Sequence, residues 1–197
     1  MGFALTEKSD GWAHSGPWTI EDVEALPDYG NHNRYELLSP GVLTVSPAPG
    51  FLHQRASLNL AVALRAVVPA DMEVVEAVNV EIPGGRLCQP DIVIVDAAFA
   101  DTAPTRCPPH TIRLVVEIVS PSSHPQDRII KPQLYAEAKI PVYWRLEIEG
   151  NPRLIVSVLR RGRYVQEVAA VGGTRMAIRQ PFTVELDPAE LIRRAPR

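Results

Sequence analysis

The sequence predicts an α/β domain in which a mixed β-sheet is flanked by helices. Residues 89–95 and 114–119 are short β-branched runs that are apolar on both faces, a pattern typical of strands in the middle of a sheet. A helix predicted from about residue 126 to residue 138 is followed by a strand at 142–148. A strand–helix–strand unit of this length predicts a right-handed parallel crossover.

The 197-residue chain is long enough for one domain with a substantial core. We interpret residues 1–17 as a polar N-terminal tail and residues 18–197 as a single domain. Thr19 to Asp22 resembles a capping box, which predicts a short helix ending near Leu26. Residues 34–38 and 42–45 then predict an N-terminal hairpin.

The remaining elements follow from the same periodicities. Residues 51–68 are predicted to form a helix whose core stripe is Leu60, Leu64, Val67 and Val68. Residues 72–82 and 86–95 are predicted to form two continuous strands joined through a Gly-Gly turn, and residues 96–110 a long surface loop. A C-terminal hairpin is predicted from residues 154–159 and 164–171. A last strand at 182–186 and a short helix complete the chain.

Composition narrows the function only slightly. The net charge of −3 gives no general basic character, so any nucleic-acid binding has to come from a local patch. Cys88 and Cys107 lack a CxxC partner, which gives no support for zinc and makes a reducing cytoplasm the simplest setting. No apolar run has membrane length, so we expect no membrane contact.

Each of the two central strands carries one carboxylate, Asp91 and Glu117. A buried carboxylate must be neutral, paired or metal-bound. If the two strands are antiparallel neighbours, both acids lie at the same end of the sheet and suit a divalent cation. The alternative is an Asp that caps its own turn and a Glu paired with an arginine. Glu117 stands within a buried run, which favours the functional pair.

The predicted helix after this strand places Asp127, Lys131 and Tyr135 on one face. One interpretation is a solvated Asp–Lys pair. The other has Lys131 reaching over the strand ends, where it would hold a water or offset phosphate charge. Pro132 disfavours helical geometry at Lys131, so the helix could begin near Pro132.

Several other residues are candidates with open alternatives. Glu36 is either a further metal ligand or a surface acid. His53 and Gln54 open a helix whose N-terminus favours anions, so they predict a phosphate contact, although His53 also suits the core. Arg160 and Arg161 would contact a phosphate backbone or simply solubilise a hairpin tip.

Taken in order, these residues resemble the Uma family of bacterial endonucleases. The resemblance runs from about residue 19 to residue 159, and its landmarks are Arg34-Tyr35-Glu36-Leu37, Ser46-Pro47 with His53, Gln89-Pro90-Asp91, the run 115–122, Asp127 with Lys131 and Tyr135, and Pro141-Val142-Tyr143-Trp144.

The resemblance implies a restriction-endonuclease-like core of the PD-(D/E)XK superfamily, extended here by an N-terminal and a C-terminal hairpin. It also implies Mg²⁺-dependent (or Mn²⁺-dependent) hydrolysis of DNA. Asp91 and Glu117 would hold the metal, Lys131 would supply the motif lysine, Glu36 and His53 would complete the site, and Tyr135 would contact the substrate. A homodimer is expected by analogy with nucleases that cut two strands.

The chain departs from the pattern of its relatives at three places. Val119 stands where the wider superfamily has its lysine, Ser39-Pro40-Gly41 replaces an Asp-Gly-Glu turn, and Glu147 replaces an aspartate. The replacement by Glu147 is the mildest of the three, whereas the acidic net charge, the missing lysine and Pro132 support an alternative function. In that alternative the chain is a catalytically inactive nuclease-fold module that binds nucleic acid or protein.

Overall fold

The computed structural model describes residues 14–27, 33–119 and 126–194. The α-helices and strands are, in chain order, α1 (Ile20–Glu24), β1 (Arg34–Ser39), β2 (Val42–Ser46), α2 (Phe51–Arg65), β3 (Met72–Glu76), β4 (Asn79–Ile82), β5 (Arg86–Cys88), β6 (Ile92–Asp96), α3 (Ala97–Ala100), β7 (Arg106–Cys107), β8 (Ile112–Val119), α4 (Lys131–Glu137), β9 (Val142–Glu147), β10 (Arg153–Arg160), β11 (Arg163–Val171), β12 (Met176–Ile178), β13 (Val184–Leu186) and α5 (Pro188–Ile192). A 3₁₀ turn at Pro109–Thr111 precedes β8, and a π-helical turn at Gln126–Ile130 precedes α4.

The central sheet has six strands in the order β11-β10-β9-β8-β6-β3. β8 and β9 are parallel, and the other neighbours in this sheet are antiparallel. The predicted parallel crossover through α4 is therefore confirmed, and so is the mixed sheet. The β10–β11 hairpin extends this sheet at one edge.

Both faces of β6 are buried, as its continuous apolar sequence predicts. Ile92 and Ile94 pack into the core on the side of α2, whereas Val93 and Val95 pack into the core on the side of α4. The side chains of β8 alternate between the two faces in the same way: Val116 and Ile118 face the α2 side, so Glu117 between them faces the opposite side. Its side chain therefore projects toward α4.

A second sheet has five strands in the order β2-β1-β5-β4-β7, and β12 pairs with β13. The predicted N-terminal hairpin is its β1–β2 edge, with Arg34 paired to Ser46. Antiparallel pairing of Leu37 with Leu87 connects this hairpin to β5. The pairing of β1 with β5 therefore brings Arg34 and Glu36, which lie on β1, close to the segment that leads from β5 into β6.

The prediction of two continuous strands over 72–82 and 86–95 is wrong. Each is broken in the middle, so β3 and β6 join the central sheet while β4 and β5 join the second. Ala77 adopts a positive φ of 52° at one break, and Pro90, which has no N–H to donate, stands at the other. The Ala77 N–H donates to the Asp91 carbonyl at 3.1 Å, so the two breaks lie opposite each other.

Smaller corrections concern helix α2 and the long loop. The helix ends at Arg65, and Val67, predicted in the core stripe, is 46% exposed. Leu60 and Leu64 are buried as predicted. The predicted loop 96–110 contains α3, β7 and part of the 3₁₀ turn, and β12 is an additional strand.

Most of the predicted N-terminal tail, residues 1–13, lies outside the described residues. Of its last residues, His14 stacks on Trp18 with ring centroids 3.9 Å apart. Within the described ranges, none of the helices has both the length and the apolar character that crossing a bilayer requires.

Candidate active site

Asp91 and Glu117 lie side by side at one end of the central sheet. Asp91 directly precedes β6, and the antiparallel register pairs Ile92 with Val116, so the next position matches Asp91 with Glu117. Both side chains are almost fully buried. The structure therefore brings together the two acids in the way that antiparallel neighbours predict.

The Asp91 carboxylate is held by three donors. Its Oδ1 accepts a hydrogen bond from the Arg34 guanidinium, and its Oδ2 accepts one from the Ile118 N–H at 2.6 Å. His53 Nε2 lies 3.2 Å from the same Oδ2. Burial alone would raise the pKa of Asp91, but the His53 hydrogen bond and the Arg34 charge outweigh it and lower the pKa to about 2. Asp91 is therefore a carboxylate at neutral pH.

Lys131 gathers three further acids around one ammonium group. Its Nζ lies 3.0 Å from Glu36 Oε1, 3.1 Å from Glu117 Oε1 and 3.5 Å from Asp127 Oδ1. Burial would lower the pKa of Lys131, but the charges of these three carboxylates hold it well above its usual value. The pKa of Glu117 is raised by burial and by its acidic neighbours, in spite of Lys131. The ammonium stays protonated, and the shift in the pKa of Glu117 favours its protonated form.

The turn before α4 explains why Lys131 points inward. Residues Gln126–Ile130 form a π-helical turn, and the Tyr143 hydroxyl donates to the Asp127 carbonyl at 2.6 Å. Pro132 falls in the first turn of α4, where its missing N–H costs no helical hydrogen bond. The Asp127–Lys131 pair is consequently buried, which excludes a solvated surface pair.

Tyr135 lies in the interior and does not contact the pocket. Its hydroxyl donates to Glu117 Oε1 at 2.6 Å, and its side chain is fully buried. The structure gives no support to the predicted substrate contact, because Tyr135 is not among the residues that line the cavity; the i, i+4 spacing from Lys131 directs Tyr135 to the same carboxylate. Tyr135 positions Glu117.

Glu36 and His53 belong to the same cluster of charged and polar side chains, whose other members are Arg34, Asp91, Glu117, Asp127 and Lys131. Glu36 is buried, and its Oε1 accepts the Gln89 N–H at 2.8 Å, so it is not a surface acid. His53, in the first turn of α2, is 5% exposed, and its Nδ1 is buried without a hydrogen-bond partner among the described residues. Gln54, next to it, is exposed and is not among the residues that line the pocket.

A cavity of about 630 Å³ opens onto this cluster. Its polar lining includes Arg34, Glu36, His53, Asp127 and Lys131, and its apolar lining includes Val45, Pro47, Pro49, Phe51, Leu52 and Ile148. The cavity thus combines two cations that suit a phosphate with carboxylates that suit a metal.

Arg160 and Arg161 lie elsewhere. They form the tip of the β10–β11 hairpin, beside the start of β9, where Val158 pairs with Val142. The cavity lies beyond the other end of β9, at Ile148, and neither arginine lines it. Arg160 forms an exposed ion pair with Glu167 at 2.8 Å.

Sequence reasoning did not select two members of the cluster as site residues. Arg34 stands two residues before Glu36, and side chains two apart on a strand share a face. That spacing was the available signal. For Asp127 the signal was its i, i+4 spacing from Lys131, which a surface pair would share.

Comparisons with known proteins agree with this architecture. A family model described as "Uma2: Putative restriction endonuclease" matches residues 20–189. A crystal structure from Anabaena variabilis, described as a "putative nuclease belonging to DUF820", superposes with a TM-score of 0.66 at 16% identity, covering 89% of this chain and 98% of that chain. At this identity the likeness shows a shared fold. No curated protein matches the chain.

Proposed function

Because the chain belongs to the Uma2 family of restriction-endonuclease-like proteins, we propose that it is a divalent-metal-dependent phosphodiester hydrolase that cuts DNA. The observation that supports this most strongly is that the buried pair Asp91 and Glu117 adjoins the Lys131 ammonium, which contacts Glu117 and itself lines the cavity. Family membership alone would not fix the reaction.

The residues of the cluster suit Mg²⁺ or Mn²⁺. Mg²⁺ in proteins usually keeps several waters and binds to one or two carboxylates, together with substrate phosphate oxygens. In the described residues no group of three or more His, Cys, Asp or Glu side chains is arranged to hold a metal, so Asp91 and Glu117 would be its two protein ligands.

The charge of the cluster also favours a cation. Within the described part of the chain it contains the four carboxylates of Glu36, Asp91, Glu117 and Asp127 against two permanent cations, Arg34 and Lys131. Buried charge is costly unless compensated. A divalent ion would offset the two excess negative charges, which proton uptake at Glu117 offsets only in part.

The chain's own groups have separate roles in this proposal. Bound metal would supply an activated water and offset charge on the scissile phosphate. Lys131, fixed by three carboxylates, would orient that water and stabilise the charge that develops on phosphate oxygens. Arg34 would bind a nonbridging phosphate oxygen. Glu36 keeps Lys131 in place, and His53 keeps Asp91 in place.

One observation favours a second function, that of an inactive binding module. All three donors to Asp91 come from the protein itself, so the carboxylate is already satisfied without a metal. In that case the cavity would bind a nucleic-acid or protein partner without turnover.

Nicking of supercoiled plasmid with Mg²⁺ or Mn²⁺ distinguishes the two functions. Wild type should nick only with metal, Glu117→Gln should lose the activity, and the matched control Glu185→Gln, an exposed strand glutamate, should keep it. Equal activity in Glu117→Gln would point to a contaminating nuclease and would remove the support for catalysis.

A further inference from the structure

An exposed aromatic ring stands at the mouth of the cavity. Phe51, the first residue of α2, is 79% exposed, the highest value among the exposed large hydrophobic residues that the structure describes. A single exposed hydrophobic residue needs no explanation by itself. The surroundings of Phe51 on the described surface, however, are specific.

The ring is held in place by a cation. The guanidinium carbon of Arg55, one turn further along α2, lies 4.9 Å from the ring centroid. Arg55 is itself anchored, because its Nη1 donates to the Ile192 carbonyl at 3.3 Å. Arg55 packs over the ring, and most of the remaining surface of the side chain is open to solvent. A fixed, flat apolar surface of this kind suits stacking by another planar group.

The position of the ring relates it to the phosphate-binding groups. Phe51 lines the same cavity as Arg34 and Lys131, and it precedes by two residues His53, which contacts Asp91. A cavity of about 630 Å³ lies in the size range that encloses a small organic ligand. A phosphate bound by the cations would therefore place its own nucleoside beside the apolar residues of the cavity lining, among them Phe51.

We propose that Phe51, supported by Arg55, is a stacking platform for an unpaired nucleobase next to the scissile phosphate. A base inside a duplex is stacked and paired and cannot present its face to a side chain, whereas a single strand or an extruded base can. The preferred substrate is thus single-stranded or locally unpaired DNA. This inference rests on the proposed function, since it concerns the substrate of that same site.

A competing occupant of this surface is a second copy of the chain. Phe51, Leu58 and Val62 are spaced i, i+7, i+11, and all three are exposed on α2. The expected homodimer could cover that stripe. Val62 does not line the cavity, so it separates the two possibilities.

The test compares a short fluorescent DNA strand with its perfect duplex, bound to the full-length protein in EDTA so that no metal-dependent cleavage occurs. The strand should bind more tightly than the duplex. Phe51→Ala should weaken strand binding about tenfold, an effect within the range of one base–aromatic stack. Phe51→Trp should retain it, and Val62→Ala should change neither affinity.

Equal affinity of wild type for strand and duplex, or unchanged strand binding in Phe51→Ala, would overturn the platform. The platform would also be overturned if light scattering shows a dimer that both Phe51→Ala and Val62→Ala dissociate, and if both variants lose strand binding to the same extent. If metal-dependent nicking persists in those cases, only this inference fails. If neither DNA binds and no nicking occurs, the proposed function fails with it.

Discussion

Arg34, which lines the cavity, forms an ion pair with the buried Asp91, and its guanidinium occupies Oδ1 of a carboxylate that we propose as a metal ligand. The two positive groups, guanidinium and metal, therefore compete for one oxygen. We infer that Arg34 releases Asp91 when a substrate phosphate offers it an alternative anion.

Replacing Arg34 tests this competition. Arg34→Met should bind Mn²⁺ at least about tenfold more tightly than wild type, because a charge-assisted hydrogen bond of about 1.5–3 kcal/mol no longer opposes the metal. The same variant should cleave DNA more slowly, since a phosphate contact is lost. Calorimetric titration measures the affinity, and Arg113→Met, which removes a surface pair with Asp96, is the control. Weaker metal binding in Arg34→Met would contradict the competition.

Lys131 should be a major contributor to stability as well as to catalysis. Lys131→Met leaves Glu36, Glu117 and Asp127 without their shared cation, and breaking a buried pair in this way costs about 3–5 kcal/mol. Urea unfolding at pH 8 should show that loss. At pH 5 the loss should be smaller, because the uncompensated carboxyl groups bind protons. Lys139→Met, at an exposed position just after α4, should change stability little at either pH.

Asp91 should contribute to acid sensitivity. Its pKa is lowered in the folded protein from 3.8 to about 2, so the stability it contributes is present above pH 4 and is lost as the pH falls through about 2. That difference corresponds to about 2 kcal/mol. Chemical unfolding of wild type and Asp91→Asn between pH 5 and pH 2 should give curves that converge at the acid end. Parallel curves would show that Asp91 is not held as a buried, paired carboxylate.

Tyr135 should affect the rate without affecting substrate binding. Tyr135→Phe removes the hydrogen bond that the hydroxyl donates to Glu117 and leaves the cavity lining intact. We expect a lower kcat, an unchanged KM, and an acid limb of the pH–rate profile displaced to higher pH, because Glu117 loses a donor that favours its ionised form. Tyr164→Phe, whose hydroxyl donates to the Ile140 carbonyl, is the control. A raised KM in Tyr135→Phe would instead support direct contact with substrate.

The sequence was sufficient to predict the central sheet and its two acids, because burial on both faces leaves a clear signature in the strands of Ile92–Asp96 and Ile112–Val119. It was not sufficient to predict where strands break. The alternating pattern continues across Ala77, and the pairing of that break with the one near Pro90 is a long-range contact that no local propensity encodes.

The same limit applies to the site. The register between β6 and β8 could be anticipated from two acidic residues in apolar runs, but the partners of those acids could not. Arg34 reaches Asp91 from 57 positions away in the chain, and the position of Lys131 depends on a π-helical turn whose residues give no distinctive signal. Spacing predicted that Asp127, Lys131 and Tyr135 share a face, yet only packing shows that this face is buried.

Metal-induced stabilisation of the wild-type protein tests most directly whether Asp91 and Glu117 form one cation site. At a hundred times its dissociation constant, Mg²⁺ or Mn²⁺ should raise the free energy of unfolding by about 2.7 kcal/mol. Asp91→Asn and Glu117→Gln should each abolish that gain, whereas Asp96→Asn, at the far end of the same strand, should retain it. An equal gain in all four proteins, or none in wild type, would contradict the account.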